Sequence, residues 1–513
     1  MKRLKHLTHS FFLRFLLLFV PSAFIIYGCS EQKEDTAQPP NIIVVMVDDM
    51  GYSDIGCFGS EIPTPNLDNL ADGCIRLNQF YNTGRCCPTR AALLSGLYPH
   101  KVEMGWMTKA DMGHPGYTGN LSDSCITIAQ AVKEAGYSTY MAGKWHVTLD
   151  KYFKDSATIS KHNWPLQRGF DRYFGGLSGG GSYFTPQYLI SGNREIEAPE
   201  DFFYTDAITD TVVKYIDQNP ADQPFFMYVA HFAPHFPLHA LPEDIARQRG
   251  KYLVGWDSIR AFRHQKMIKE GIITNDSGLS KRETMVPSWN ELSDSAKNSW
   301  DHRMAIYAAQ VIDVDDGIGK IVEKLKEKGM YENTLILFFS DNGACAESPS
   351  WQPQYIGTDS SFEAYRIPWA NASNTPFREY KKWSHEGGIS SPFIAHWPES
   401  TILHGAISGQ QAHVIDIFPT ILEVSGATYP QTDSLFELQG KSIFTALTGK
   451  PFERGPLFWE HEANRGVRTG DWKLVSEAEK EPPYNGEWEL YNIKEDRIES
   501  TNLIKKHPEK AKA

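Results

Sequence analysis

This sequence of 513 residues is short of sulfur pairs, of positive charge and of long apolar runs. Its seven cysteines (29, 57, 74, 86, 87, 125 and 345) include no Cys-x-x-Cys pair and no zinc spacing, which excludes the common structural zinc sites. Basic residues number 51 against 63 acidic ones, a formal net charge of −12, so no nucleic-acid partner is expected. There is no internal repeat and no long low-complexity tract, which excludes solenoids and arrays. The apolar run at 15–28 has 14 residues, too few to span a bilayer comfortably.

What is present is the material for one large domain and a smaller one, with 41% hydrophobic and 22% charged residues. The 13 Trp, 23 Tyr and 28 Phe imply a large core, with some aromatic surface left to face a sugar or an aryl group. The N-terminus reads as a targeting segment: Lys2, Arg3, Lys5 and Arg14 precede or open the apolar run, which ends at Gly28-Cys29-Ser30. A small residue before cysteine resembles a bacterial lipoprotein processing site, although Tyr27 fits it poorly and leaves plain secretion open. The expectation is a signal peptide at 1–28 and export to the periplasm or outer surface, with a lipid on Cys29 as the membrane partner. A polar, Pro-ended tether at 29–40 follows. Removing 1–28 takes away four positive charges and leaves −16. With Cys29 and Cys86 set aside, five cysteines remain, so at least one is not in an internal disulfide.

Asn41 to Val47 is a β-branched run without alternation, as expected for a strand buried on both faces of a parallel sheet. It ends in Asp48-Asp49-Met50-Gly51. Two carboxylates at the carboxyl end of a buried strand are costly unless something binds there, and that sheet edge is where ligands sit. Thr334 to Phe339 repeats the pattern and ends in Ser340-Asp341-Asn342-Gly343. One Asp-Asn-Gly is ordinarily a turn. Two such strand ends together present four oxygen-bearing side chains, a hard donor set that favours calcium or magnesium over zinc.

A third feature is Arg85-Cys86-Cys87-Pro88-Thr89-Arg90-Ala91-Ala92-Leu93-Leu94-Ser95-Gly96, a turn that breaks into a helix. A cysteine at a helix start feels the positive end of the dipole and the nearby Arg90, unless it is merely a buried structural thiol. Tyr137 to Ala142 reads as a strand running into Gly143-Lys144-Trp145-His146, whose Lys and His, two apart on a strand end, project the same way. Pro224 to Ala230 reads as another buried strand, running into Pro234-His235-Phe236-Pro237, with His231 and His239 as neighbouring alternatives to His235. Thr64 is expected to cap a short helix at 65–71, and helices are expected at 124–136, 205–219 and 303–328. Residues 147–200, rich in Gly and Tyr, suit a substrate rim. Short strand-like runs between 455 and 493 predict a small antiparallel sheet. Lys381 and Lys382 stand five and four residues before Glu386-Gly387-Gly388.

Cys-x-Pro-x-Arg with x-x-Leu-Leu-x-Gly after it, Asp48-Asp49, Gly-Lys-Trp-His, Pro-His-x-Pro, Asp341-Asn342 and the Lys381 to Gly388 segment together resemble the formylglycine-dependent sulfatases of the alkaline phosphatase superfamily. The resemblance spans roughly 41–500. It implies an α/β fold: a large mixed, mostly parallel sheet flanked by helices at 41–435, and a smaller antiparallel-sheet subdomain at 436–513. The chain ends where that family usually runs on into a final helix, so a truncated C-terminus stays open. Thr89 departs from the family's usual serine but keeps a hydroxyl.

The resemblance implies that a maturation enzyme oxidises Cys86 to formylglycine, while Cys87 is a bystander. One hydroxyl of the hydrated aldehyde attacks sulfur and the other later expels sulfate. Asp48, Asp49, Asp341, Asn342 and the Cys86-derived oxygen hold one calcium ion. Arg90 and Lys144 orient the hydrate, His146 takes the proton that triggers sulfate release, and His235 with Lys381 grips sulfate and protonates the leaving alcohol. The expected substrate is a sulfated small molecule or glycan. His461, Glu462 and Asn464 are candidates for the substrate pocket. Two other readings stand beside this one: a formylglycine phosphodiesterase or phosphonate monoester hydrolase, and an inactive lipoprotein that binds sulfated glycan.

Overall fold

Four strands, β1 (Asn41–Val47), β2 (Ser138–Gly143), β3 (Phe225–Ala230) and β4 (Thr334–Ser340), run parallel in the spatial order β4-β1-β3-β2. Their register aligns Val47 with Ser340, and Met46 and Gly143 with Ala230. Whatever follows each strand therefore emerges at one carboxyl edge. Those followers are Asp48, Lys144, His231 and Asp341.

The computed structural model describes residues 38–155, 157–479 and 485–512. The expected signal peptide, Cys29 and most of the tether lie outside the described residues. The four strands belong to an eleven-stranded mixed sheet. Ser390–His396 pairs antiparallel with β4 and with Ile75–Tyr81, and Arg172–Gly176 pairs parallel with β2. Side chains of β1 alternate between two cores, Ile42, Val44 and Met46 in one and Ile43, Val45 and Val47 in the other. This explains a strand apolar at every position from Ile42 to Val47: each face has its own layer of helices to fill. The helix Cys86–Ser95 (α1) packs into the first core. Tyr204–Gln218 and the 34-residue Asp294–Glu327 fill the second.

A separate four-stranded antiparallel sheet, Leu457–His461, Asn464–Thr469, Trp472–Ser476 and Trp488–Asn492, is paired in sequence order. All six described cysteines are free thiols. No helix among the described residues is long and apolar enough to cross a membrane.

Two local expectations needed correcting. Thr64 precedes its helix but does not cap it; its hydroxyl accepts from Gly56 N at 2.8 Å and donates to Asp68 at 3.2 Å. The strand β2 stops at Gly143, so Lys144 and His146 lie beyond it and do not share a face through strand alternation. His146 reaches its position with a left-handed backbone, φ 53°.

Candidate active site

The helix α1 begins where Arg85, still extended, turns into Cys86. Pro88 sits in the first turn, where a missing N–H leaves nothing unpaired. Gly96 ends the helix in the left-handed conformation. All of α1 is buried. The Thr89 hydroxyl donates to the Asp341 carbonyl at 2.7 Å and shares a 2.8 Å bond with Thr83. The thiol-bearing turn is thereby fastened to the carboxyl end of β4.

Successive strand residues point to opposite faces. Asp49 escapes that rule because its φ is 65°, a conformation that Asp tolerates better than most residues. Asp48 and Asp49 therefore both face the Asp341 loop. Asp49 N donates to Asp341 Oδ1 at 3.2 Å, and Asn342 Nδ2 donates to Asp49 Oδ1 at 2.7 Å.

The cations fall on these carboxylates. Arg90 donates to Asp341 Oδ2 at 2.9 Å, lies 3.4 Å from Asp48, and is held from behind by the Tyr228 hydroxyl at 3.3 Å. Lys144 bonds Asp48 and the Gly179 carbonyl. Lys381 Nζ is 2.7 Å from Asp49 Oδ1. His235 Nε2 is 3.5 Å from Asp49, and its Nδ1 contacts the Phe236 carbonyl. A ring nitrogen of His146 lies within 4.8 Å of the Cys86 thiol. Gly179 packs against that imidazole so closely that a Cβ there would fall 2.3 Å from the ring. Gly143 is equally forced: with φ 112°, its Cβ would lie 1.9 Å from the Ala230 carbonyl oxygen.

Every one of these groups is buried. A hydrogen bond from Cys87, then Lys144, His146 and Lys381, hold the Cys86 thiol well below its ordinary range against burial. Burial, reinforced by Cys86, pushes the Cys87 thiol up. Burial raises Asp48, but Lys144, His235 and Arg90 outweigh it and pull the carboxyl down to about 2. Burial and the adjacent Asp48 push Asp341 up. Burial lowers both His146 and His235.

Three carboxylates face three permanent cations. A divalent ion would make the centre net positive, matching a tetrahedral anionic head. The residues fit such an ion. Asp48 Oδ1 and Asn342 Oδ1 are buried with no hydrogen-bond donor among the described residues. One ligand atom each from Asp48, Asp49 and His235 lies within 4.8 Å of the others. An all-oxygen set from Asp48, Asp49, Asp341 and Asn342 suits calcium.

The proposed site residues Cys86, Arg90, Lys144, His146, His235, Lys381 and the four oxygen ligands thus gather at one sheet edge. Among the described residues, the alternatives are not hydrogen-bonded or ion-paired to these groups, although Glu462 lines the same cavity as Lys381. His231 has no partner on either ring nitrogen among the described residues, and burial alone takes it down to about 4. His239 is held between Tyr183 N and the Ser361 carbonyl. Lys382 lies over the Trp383 ring, 3.7 Å from Glu462. His461 stacks on Trp106, and Asn464 bonds backbone at His461 and Ala478. Sequence reasoning missed the clasp of Thr89 on Asp341, the Arg85–Glu347 ion pair at 2.7 Å, and the grip of Gly179 on Lys144. The glycine run at 179–181 was the available signal for the last.

A model described as Sulfatase matches residues 40–427, and one described as N-sulphoglucosamine sulphohydrolase, C-terminal, matches 378–512. An arylsulfatase of Klebsiella aerogenes is 35% identical, over 75% of this chain and 87% of its own. An N-acetylglucosamine-6-O-sulfatase of Bacteroides thetaiotaomicron is 26% identical, over 96% and 87%. The crystal structure of Ps i-CgsB in complex with k-i-k-neocarrahexaose is 26% identical, with a TM-score of 0.66 over 92% of this chain and 90% of that one.

Proposed function

This chain belongs to the sulfatase family and is a sulfuric ester hydrolase, and from that premise we propose that it removes sulfate from a carbohydrate ester, using an aldehyde made from Cys86 and one calcium ion. The observation that carries the reading is the setting of Cys86. It is a buried residue at a helix start, with a His146 ring nitrogen within 4.8 Å of its thiol and the Lys144 and Lys381 cations acting on it. The motif cysteine is Cys86 because only it stands two before Pro88 and four before Arg90.

Hydrated, the aldehyde supplies an oxygen nucleophile for sulfur and a second hydroxyl that expels the sulfate. Asp48, Asp49, Asp341 and Asn342 would hold the calcium ion, which when bound would supply Lewis-acid polarisation. The chain's own groups do the rest. Arg90 holds Asp48 and Asp341 in place and adds positive field. Lys144, fixed by Asp48 and the Gly179 carbonyl, aims its ammonium at the Cys86 position. His146, kept neutral by burial, is a proton acceptor beside that residue. Lys381 neutralises charge on the sulfate oxygens. His235 donates Nδ1–H to the Phe236 carbonyl, and in its imidazolium form, which the Asp49 carboxylate 3.5 Å away favours, Nε2–H is the proton for the leaving alcohol.

The sulfated-carbohydrate substrate is supported by the relative named N-acetylglucosamine-6-O-sulfatase and by the k-i-k-neocarrahexaose named for the 26%-identical structure. Export and a Cys29 lipid rest on the N-terminal sequence, and aldehyde formation calls for a separate maturation enzyme. The test is release of inorganic sulfate from 4-nitrophenyl sulfate and from O-sulfated mono- and oligosaccharides, compared with hydrolysis of an aryl phosphodiester. Sulfate release from at least one sugar, faster than phosphodiester cleavage, is expected. Phosphodiester preference, or cleavage of no sulfated sugar, contradicts the proposal.

A further inference from the structure

Lys381 lies on an awkward piece of backbone. Its neighbours Glu379 and Lys382 both have left-handed φ, 61° and 82°, where side chains other than glycine are disfavoured. Lys381 N donates to Ala344 O at 3.0 Å and Lys382 N to Gly84 O at 2.7 Å, so this turn is stitched to the chain on either side of the site. It then folds over the segment Glu386-Gly387-Gly388. A Cβ on Gly387 would lie 2.2 Å from the Arg378 and Glu379 carbonyl oxygens. A Cβ on Gly343 would lie 1.7 Å from the Gly387 oxygen, and Gly343 N donates to Gly388 O at 2.9 Å. A strained turn of this kind persists only where its surroundings over-determine it.

The over-determination comes from Glu386. Its carboxylate is fully buried and receives Lys473 Nζ at 2.9 Å, Arg497 Nε at 2.9 Å, Ser390 Oγ at 3.0 Å and Tyr81 Oη at 3.1 Å. Lys473 also pairs with Glu499 at 2.8 Å, and Glu499 accepts the Glu386 amide at 2.8 Å. Lys473 sits in the C-terminal antiparallel sheet, and Arg497 and Glu499 come after it. Among the described residues, none of these groups is hydrogen-bonded or ion-paired to a residue assigned to the sulfate chemistry. Removing one partner of a buried ionic network leaves a charge uncompensated, so the cluster has one well-defined arrangement.

We propose that Glu386, locked by Lys473, Arg497 and Glu499, is the positioning residue for Lys381, so that the C-terminal segment sets the geometry of the sulfate grip from outside the site. This rests on the role given to Lys381 above.

The test uses Glu386→Gln, with Glu499→Gln as a milder second variant should the first fail to fold. Kinetics are run well below the melting temperature of each variant, with inorganic sulfate as a competitive inhibitor. Loss of a supporting partner of this kind costs about 10- to 100-fold in activity. The expected result is a fall of that size in kcat/KM, with weaker inhibition by sulfate. In a Lys381→Ala background, Glu386→Gln should change kcat/KM by no more than about twofold, since the two act through one group. Hydrogen exchange supplies a readout independent of turnover: the Lys382 and Gly343 amides should exchange faster in the variant. A folded variant with wild-type kinetics and wild-type exchange overturns the proposal, as does a full additional loss on top of Lys381→Ala. If the wild-type protein made in its native host cleaves no sulfate ester, the functional reading fails, and exchange at Lys382 and Gly343 still decides whether Glu386 positions the turn.

Discussion

Lys381 Nζ lies 2.7 Å from Asp49 Oδ1 across 332 residues of sequence, while Lys382 beside it points to Glu462 at the surface. One residue of offset separates a fully buried ion pair from a half-buried one. Lys381→Ala should therefore lower kcat/KM on an aryl sulfate by about 10²- to 10³-fold, the range seen when a donor to developing negative charge is removed. Lys382→Ala should stay close to wild type. Equal losses in the two variants would contradict the assignment.

Arg90 is a structural as well as a chemical group. It is the buried cation shared by Asp48 and Asp341. Arg90→Ala strands those carboxylates and is expected to destabilise the fold by about 3–5 kcal/mol, as for a broken buried pair. Urea unfolding measures this. A change below about 1 kcal/mol, the level of an exposed pair, would show that Arg90 is not holding the cluster.

The calcium ion proposed for Asp48, Asp49, Asp341 and Asn342 would bind the folded chain and not the unfolded one. Adding calcium at about 100 times its Kd to chelator-treated protein should stabilise it by about 2.7 kcal/mol. Asp341→Asn should blunt that response. An unfolding midpoint indifferent to both chelator and calcium would remove the metal from the account.

Much of this was readable before any coordinates. The unalternating run Asn41 to Val47 announced a strand covered on both faces, and the two cores on either side of it are the reason. Asp48-Asp49 and Asp341-Asn342 were conspicuous because carboxylates at buried strand ends need partners. Register was not readable. That Val47 stands opposite Ser340, and Gly143 opposite Ala230, follows from long-range pairing that no local pattern encodes. The alternation rule also misled at Lys144 and His146, which leave the strand through a left-handed turn. The clasp of Thr89 and the Glu386 network were invisible for the same reason. Single hydroxyls and single carboxylates acquire meaning only from what folds against them.

Stability should depend on pH through His231, whose ring bonds none of the site groups among the described residues. Burial takes its pKa down from 6.5 to about 4 in the folded chain. Between those values the unfolded state carries the proton and the folded state does not. Stability is thus retained above pH 6.5 and lost as the pH falls toward 4, by about 1.4 kcal/mol per unit from this residue. Urea midpoints of the wild type and His231→Asn, taken from pH 7 to pH 4.5, should show a shallower slope for the variant. Identical slopes would show that His231 titrates normally.

The central claim is that Cys86 is the precursor of the nucleophile. Cys86→Ala should abolish at least about 10³-fold of the activity, yet a reactive thiol would predict that too. Mass spectrometry of the Cys86 peptide, from protein made in its native host, separates the two. The account predicts a loss of about 18 Da at Cys86, the change from –CH₂SH to an aldehyde, with Cys87 unmodified. An intact thiol at Cys86 in active protein would contradict it.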